Sequence, residues 1–227
     1  MHFGDLKKIL ESVHQIFDQY IKRIQRMQIF ISPKKFTSIM VYSNGKVAGV
    51  LFFVAATQFV LGLIVAEALY PGYSISTNYI SDLGVGPSAM VFNVSIFIFG
   101  LLSGIGTYFF YRAFDRKAVT ILLTIAAVAA MGVGIFTENS GPMHVFVSFF
   151  AFLFGGLSAI FSYRLMKHPF SIIGILLGVM SLFMLILFIG NFTFGLGVGG
   201  IERMIVYPIL LWMIGFGGFL IALPEKS

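Results

Sequence analysis

Carboxylate side chains gather in the short polar segments that separate the long apolar stretches of this sequence. Four acidic residues lie in or beside three such segments: Glu67, Asp82, Glu138 and Glu202. His144 opens the apolar stretch that follows Glu138. Ionisable groups close to hydrocarbon cost about 2.5–3.5 kcal/mol each at the centre of a membrane span and less toward its ends. Their concentration in these segments therefore indicates either mutual pairing or a shared ligand.

Two kinds of chemistry fit this set of side chains. A histidine beside a carboxylate can act as a general acid–base pair on a lipid headgroup, and oxygen-rich ligation favours Ca²⁺, Mg²⁺ or Mn²⁺ over zinc. No nucleotide-binding or metalloprotease motif is present, so the sequence identifies no cofactor, and a divalent cation is the one candidate. The candidates for catalysis and for a metal site are the same residues, Asp82, Glu138, His144 and Glu202. The candidates for ligand binding are Tyr73, Asn78, Ser81 and Arg203.

These residues also have structural explanations. Asp82 can cap free N–H groups at the start of a short helix, and His144 can be an interfacial hydrogen-bonding residue. Arg203 needs a negative partner near the membrane. The expected partners are Glu202, Glu138 and Asp82. Two interpretations therefore stay open: the charges line a pocket, or they pair with one another and leave none.

The elements that carry these residues follow from the composition. Of the 227 residues, 58% are hydrophobic and 11% are charged, which is more apolar surface than a soluble domain of this length can bury. Six apolar stretches follow residue 46, and in lipid each satisfies its backbone hydrogen bonds as a helix. We therefore expect an all-α fold, a bundle of six transmembrane helices in residues 47–222. The spans are expected at about 47–69, 89–111, 118–136, 143–163, 171–190 and 204–222.

Residues 1–35 differ from the rest of the chain because they form a charged amphipathic pattern. Apolar side chains recur at spacings of three and four, and the opposite face is mainly basic. This pattern predicts an amphipathic helix on the cytoplasmic membrane surface, with its basic side toward the lipid headgroups. A heptad seam between two copies of the chain is the alternative. A linker at 36–46 and a cytoplasmic tail at 223–227 complete the expected organisation.

The distribution of basic residues predicts the orientation of the bundle. The amino-terminal arm and the second and fourth connections between spans are rich in Lys and Arg, whereas the other three connections hold only Arg203. By the positive-inside rule, we expect a multi-pass protein of the cell membrane with both termini in the cytoplasm. The carboxylates then lie at the outer face. The N-glycosylation pattern Asn191-Phe192-Thr193 falls on the same face, so Asn191 is a candidate modification site.

Three short motifs resemble a known family. They are Tyr73-Ser74 followed by Ile80-Ser81-Asp82-Leu83-Gly84, the histidine at the start of the fourth span, and Gly200-Ile201-Glu202-Arg203. On these motifs the chain resembles the domain-of-unknown-function 998 family, which consists of small prokaryotic, often archaeal, polytopic membrane proteins. The resemblance covers about residues 45–222 and implies six helices with a polar outer face. It implies no activity, because the function of the family is unknown.

Three classes of function stay open. The favoured class is a membrane protein that binds a lipid headgroup at its polar cluster, with membrane lipids as partners, and this class includes lipid-modifying enzymes. The second is a non-catalytic accessory or scaffold subunit, which implies membrane-protein partners or a homo-oligomer. A small transporter ranks last, because the spans offer few charges to line a path. The net charge of +6 is not arranged as a stripe, so no nucleic-acid partner is expected.

Overall fold

The computed structural model describes residues 43–224, together with Gln19 and Lys22. The chain divides into two units, Met1–Tyr42 and Ser43–Ser227. In the first unit the two described residues are helical. The rest of the predicted amphipathic helix lies outside the described residues, as do most of the linker and the last three residues of the tail. The position of the arm on the membrane surface therefore stays a prediction.

Every regular element among the described residues is helical. Six helices are long and apolar enough to cross a membrane, which confirms the predicted all-α bundle. The shortest has 19 residues and a length of about 30 Å, which matches the hydrocarbon thickness of a bilayer. The helices are α1 Asn44–Leu69, α2 Ala89–Phe114, α3 Lys117–Ile135, α4 Pro142–Phe161, α5 Phe170–Ile189 and α6 Gly197–Ala222. Short 3₁₀ helices lie at Ser81–Gly84, Glu138–Ser140 and Ser162–Arg164.

The six helices pack as a ring in which each contacts its sequence neighbours and α6 closes against α1. The helix α6 is the most enclosed: 50% of its most apolar stretch is buried, against 22% in α2 and in α5. Trp212 of α6 stacks on Phe216, and Phe216 stacks on Phe52 of α1. The helix α6 therefore provides the core surface against which the other helices are positioned.

Glycine allows the backbones of α1 and α6 to approach closely. A Cβ atom added to Gly49 would lie 2.7 Å from the Gly217 carbonyl oxygen, and one added to Gly217 would lie 2.7 Å from the Gly49 oxygen. No side chain fits at either position without moving a helix. Small residues have this role at many transmembrane helix contacts.

Three connections meet at one end of the bundle, which we call the loop end. They are residues 70–88, 136–141 and 190–196. The third connection is shorter than the sequence predicts, because α6 begins at Gly197 instead of near residue 204. Glu202 and Arg203 therefore lie on the second turn of α6 rather than before the helix.

The early start of α6 has its cause in the first connection. Glycine-rich sequence disfavours a helix by itself, but here it allows the first turn of α6 to pack on the 70–88 backbone. A Cβ atom on Gly199 would overlap the carbonyl oxygen of Asn78. The Gly199 N–H donates to the Ser76 carbonyl at 3.1 Å. Tertiary contact thus converts a segment with loop composition into helix.

Candidate functional site

The first connection is held in shape by its own polar side chains. The Oδ2 atom of Asp82 accepts hydrogen bonds from the Tyr79 N–H at 3.0 Å and from the Asn78 side-chain amide at 2.9 Å. The Asn78 side-chain oxygen accepts the Ser74 N–H at 3.1 Å. Asp82 and Asn78 therefore organise the backbone of this loop.

Arg203 fastens the same loop to α6. Its Nη2 atom donates to Glu67 Oε1 and to the Tyr73 hydroxyl, each at 2.7 Å. Its Nη1 atom donates to the carbonyl of Gly199 at 3.0 Å and to that of Ile75 at 3.1 Å. One guanidinium group therefore connects the end of α1, the first connection and the start of α6.

The salt-bridge partner of Arg203 differs from the sequence-based expectation, which was Glu202, Glu138 or Asp82. The partner is Glu67, near the end of α1. Because α1 packs directly against α6, Glu67 reaches the guanidinium from the side of the bundle. The Arg203 side chain is nearly fully buried, and a buried charge requires such a partner.

Tyr73 completes this network as a neutral phenol. Burial raises the pKa of Tyr73 to about 12, although the hydrogen bond from Arg203 acts in the opposite direction. The hydroxyl therefore keeps its proton at neutral pH. It donates to the Tyr79 carbonyl at 2.8 Å while accepting from Arg203.

Glu202 lies between the first connection and a cavity, and its side chain is only 5% exposed. Its Oε2 atom accepts the Ile80 N–H at 2.5 Å. Its Oε1 atom makes no hydrogen bond with any residue that the structure describes. One oxygen therefore holds the loop, and the other is available to a ligand.

His144, on the first turn of α4, has both ring nitrogens engaged. Nδ1 lies 2.7 Å from the Phe136 carbonyl oxygen, which can only accept, so Nδ1 carries a proton. In the neutral ring Nε2 is then an acceptor, and the Ser148 hydroxyl lies 3.3 Å from it. The backbone of the second connection therefore fixes both the orientation and the tautomer of the imidazole.

Glu138, in the second connection, lies close to Asp82. Partial burial and the neighbouring Asp82 carboxyl group raise the pKa of Glu138 from 4.5 to about 7. Because two like charges this close repel each other, a proton on one of the two carboxyl groups is favoured. Glu138 therefore changes its charge close to neutral pH.

A cavity lies at the loop end between α4, α5 and α6. Its outer chamber has a volume of about 350 Å³, within the range of small-molecule sites. Aliphatic and aromatic side chains of α4 and α5 form most of its wall. The polar residues on the wall are Tyr79, Ser81, Glu138, His144, Ser148 and Glu202.

An inner chamber of about 70 Å³ adjoins the outer one and is lined by residues nearer the middle of the helices. Apart from the shared residues its wall is apolar and includes Phe59, Phe92 and Phe99. The two chambers share Ser81, His144, Ser148, Phe152 and Glu202. Four polar side chains, Ser81, His144, Ser148 and Glu202, therefore lie on the wall that the two mainly apolar chambers share.

The outer chamber borders the exposed surface of α4 and α5. Val145 of α4 and Ile189 of α5 line it, and they are 67% and 62% exposed. Both lie on spans that are apolar enough to be covered by lipid. A molecule in the chamber would therefore lie next to the hydrocarbon region of the membrane.

Half of the eight residues that the sequence suggested for catalysis or ligand binding line the cavity. Ser81, Glu138, His144 and Glu202 line it. The other four hold the loop end together and do not line the cavity: Asp82, Tyr73, Asn78 and Arg203.

Two further sequence-based candidates are the divalent-cation site and the modification site at Asn191. Among the residues that the structure describes, no three His, Asp or Glu side chains are grouped so that they could hold a metal ion. The geometry thus gives no support to the divalent-cation hypothesis for Asp82, Glu138, His144 and Glu202. Asn191 is exposed at the start of the third connection, so its modification stays a prediction.

Ser148 and Tyr79 line the cavity but were not among the sequence-based candidates. No local sequence pattern could have identified Tyr79 as a cavity residue, because its position depends on the fold of the first connection. For Ser148 there is such a pattern, since it lies four residues after His144 and therefore on the same face of α4.

The fold and the cavity define a polytopic α-helical membrane protein. Residues 53–218 match the family model described as "Protein of unknown function (DUF998)", so the chain belongs to this family. The match extends from α1 to α6 and confirms the resemblance that the short motifs suggested. No curated protein and no solved structure matches the chain.

Proposed function

We propose that this protein binds a single lipid molecule in the cavity at its loop end. The observation that carries the proposal is that exposed side chains of α4 and α5, Val145 and Ile189, line a chamber with an apolar wall and a few converging polar groups. The headgroup then contacts Glu138, His144 and Glu202, and the hydrocarbon leaves between the two helices. This combination of a large apolar wall and few polar groups is typical of ligand sites.

The polar groups of the cavity favour a particular kind of headgroup. Neither chamber is lined by Lys or Arg, whereas Glu138 and Glu202 contribute carboxyl groups. An anionic headgroup would meet like charge without a cation to compensate it. A neutral headgroup rich in hydroxyl groups can instead donate hydrogen bonds to these acceptors. The preferred ligand is therefore a neutral, hydroxyl-rich lipid such as a glycosyl diacylglycerol.

We also propose that the loop end faces outward, as the distribution of basic residues predicts. The chain contains no cysteine, so single cysteines can be introduced without removing others. Asn191→Cys lies at the loop end and Lys167→Cys at the opposite end, and both positions are exposed. A membrane-impermeant maleimide applied to intact cells should label the first and not the second. The reverse pattern would overturn this orientation.

The lipid proposal is tested by native mass spectrometry of the detergent-extracted protein after exchange with defined lipids. We expect one retained molecule of glycosyl diacylglycerol and no retained phosphatidylglycerol. Val145→Trp places a large side chain at the exposed edge of the chamber and should reduce retention several-fold. Val128→Trp is the matched control, because Val128 is 58% exposed on α3 and does not line the cavity.

Two outcomes would overturn the lipid proposal. The first is a wild-type protein that retains neither lipid, and the second is equal retention by the Val145→Trp and Val128→Trp variants. Either result would favour the alternative, in which the protein is an accessory or scaffold subunit of a membrane complex.

A further inference from the structure

A hydroxyl and an imidazole form a pair on the wall of the cavity. We propose that Ser148 and His144 act as a nucleophile and its general base, and that they cleave a carboxylic ester of the lipid bound there. This inference rests on the proposed lipid binding and adds a reaction to it. The substrate class is an acyl ester of a neutral glycerolipid.

The hydrogen bonding of Ser148 differs from that of other helical hydroxyl groups in this protein. Ser158, Thr107 and Thr124 each donate to the carbonyl four residues earlier, at 2.7–2.8 Å. This back-bonding is the usual arrangement for Ser and Thr inside a helix. The Ser148 hydroxyl instead pairs with the imidazole of His144 at 3.3 Å. Its proton is therefore directed at a base rather than at the backbone.

The base is itself oriented for this role. The Phe136 carbonyl accepts the Nδ1 proton of His144, which leaves the lone pair of Nε2 toward Ser148. A nucleophile in contact with a base, and a base held by a third group, is the general arrangement of nucleophilic catalysis. In this protein a backbone carbonyl takes the place of the usual carboxylate.

The position of the pair suits a lipid ester. Ser148 and His144 line both chambers, where the few polar side chains of the cavity border its apolar wall. In a glycerolipid the ester groups lie at the same kind of boundary, between the headgroup and the acyl chains. Ser81 also lines both chambers, and its hydroxyl makes no hydrogen bond with any described residue. It is therefore free to donate to the oxygen that becomes negative during attack.

The reaction proceeds in two steps, acylation of Ser148 and hydrolysis of the acyl-serine. Ser148 Oγ attacks the ester carbonyl carbon as its proton passes to His144 Nε2. The bond to the alcohol oxygen then breaks, and that oxygen takes the proton from Nε2, which leaves an acyl group on Ser148. Water attacks the acyl carbonyl, gives a proton to Nε2, and the Ser148 oxygen leaves with that proton. The sum is an ester and water converted into a fatty acid and an alcohol.

The test uses the full-length protein in detergent, with two probes. A long-chain alkyl fluorophosphonate should modify Ser148, as located by peptide mass spectrometry, and glycosyl diacylglycerol should release fatty acid. Ser148→Ala should abolish the labelling and lower fatty-acid release at least a hundredfold. Ser158→Ala is the matched control, because this serine lies on the same helix but donates to the backbone. It should retain both signals.

Lipid retention separates this inference from the proposal on which it rests. Ser148→Ala should still retain one glycosyl diacylglycerol in native mass spectrometry. A wild-type protein that retains the lipid but releases no fatty acid and labels no serine would overturn the catalytic inference alone. Equal fatty-acid release by wild type and Ser148→Ala would do the same. A Ser148→Ala variant that retains no lipid, together with a wild-type protein that releases no fatty acid, would overturn both proposals.

Discussion

Replacement of Arg203 by methionine is the most direct test of how the loop end is held together. Methionine keeps the length of the side chain and its apolar contacts but removes the guanidinium. Glu67 then loses its salt-bridge partner, and the Ile75 and Gly199 carbonyls lose hydrogen bonds of 3.0–3.1 Å. Removal of one partner from a buried ion pair costs about 3–5 kcal/mol. The expected loss in the free energy of unfolding is therefore about 4 kcal/mol.

Thermal unfolding in detergent, followed by intrinsic fluorescence, measures this loss. At about 2–4 °C per kcal/mol for a domain of this size, Tm should fall by about 8–16 °C. Arg112→Met is the matched control, because Arg112 is exposed and bonds only the Tyr108 hydroxyl of its own helix among the described residues. That variant should stay within about 0.5 kcal/mol of wild type.

A double-mutant cycle with Glu67→Gln isolates the ion pair from the other contacts of Arg203. Once Arg203 is gone, the neutral amide is easier to leave unpaired than the carboxylate. The double variant should therefore be more stable than the sum of the two single losses predicts, by about 1–3 kcal/mol. A coupling energy near zero, or an Arg203→Met variant as stable as Arg112→Met, would refute the fastening role of this residue.

Three other substitutions test the packing and the cavity. Gly217→Ala should lower Tm because its Cβ atom would lie 2.7 Å from the backbone of α1, whereas Gly218→Ala, with nothing within 4 Å, should leave Tm unchanged or raise it. For Glu138, whose pKa is raised from 4.5 to about 7, ionisation is disfavoured in the folded state, so its contribution to stability is fully present below pH 4.5 and is lost as the pH rises through 7. The Tm of wild type should accordingly fall relative to that of Glu138→Gln across this interval, and parallel curves would contradict the shift. Glu202→Gln should unfold within about 1 kcal/mol of wild type, because an amide oxygen also accepts the Ile80 N–H, but it should retain less glycosyl diacylglycerol in native mass spectrometry.

The six spans could be predicted because each depends on a local property. A continuous apolar stretch of about 20 residues identifies a membrane helix whatever it packs against. The start of α6 depends on tertiary contact instead. The segment 197–200 is rich in glycine, as loops are, and the packing of Gly199 on the first connection explains why α6 starts there. The sequence therefore predicts the number of helices better than their ends.

The gathering of charge at the loop end was also predictable, but its pairing was not. The positions of Glu67, Glu202 and Arg203 at the ends of predicted spans indicate that they lie at the same end of the bundle. Which of the two carboxylates meets the guanidinium depends on the rotation of α1 and α6 about their axes, which a single sequence does not encode locally. Ser148 was missed for a different reason. A serine inside an apolar stretch is ordinarily bonded to its own helix, so its spacing from His144 gained meaning only from the position of the imidazole.

The two interpretations of the charges, mutual pairing and a pocket, apply to different residues. Among the described residues, all the polar contacts that Arg203 makes are with Glu67, with α6 and with the first connection. They hold in place the loop that contributes Tyr79 and Ser81 to the cavity wall. Glu202, the preceding residue of the helix, needs only one oxygen to hold the loop. A carboxylate is more than that contact requires, since a neutral amide would serve as well and would cost less to bury. The second oxygen makes no hydrogen bond with any described residue, and Glu202 lines the cavity together with His144, so the contact with Ile80 alone does not explain a carboxyl group at this position.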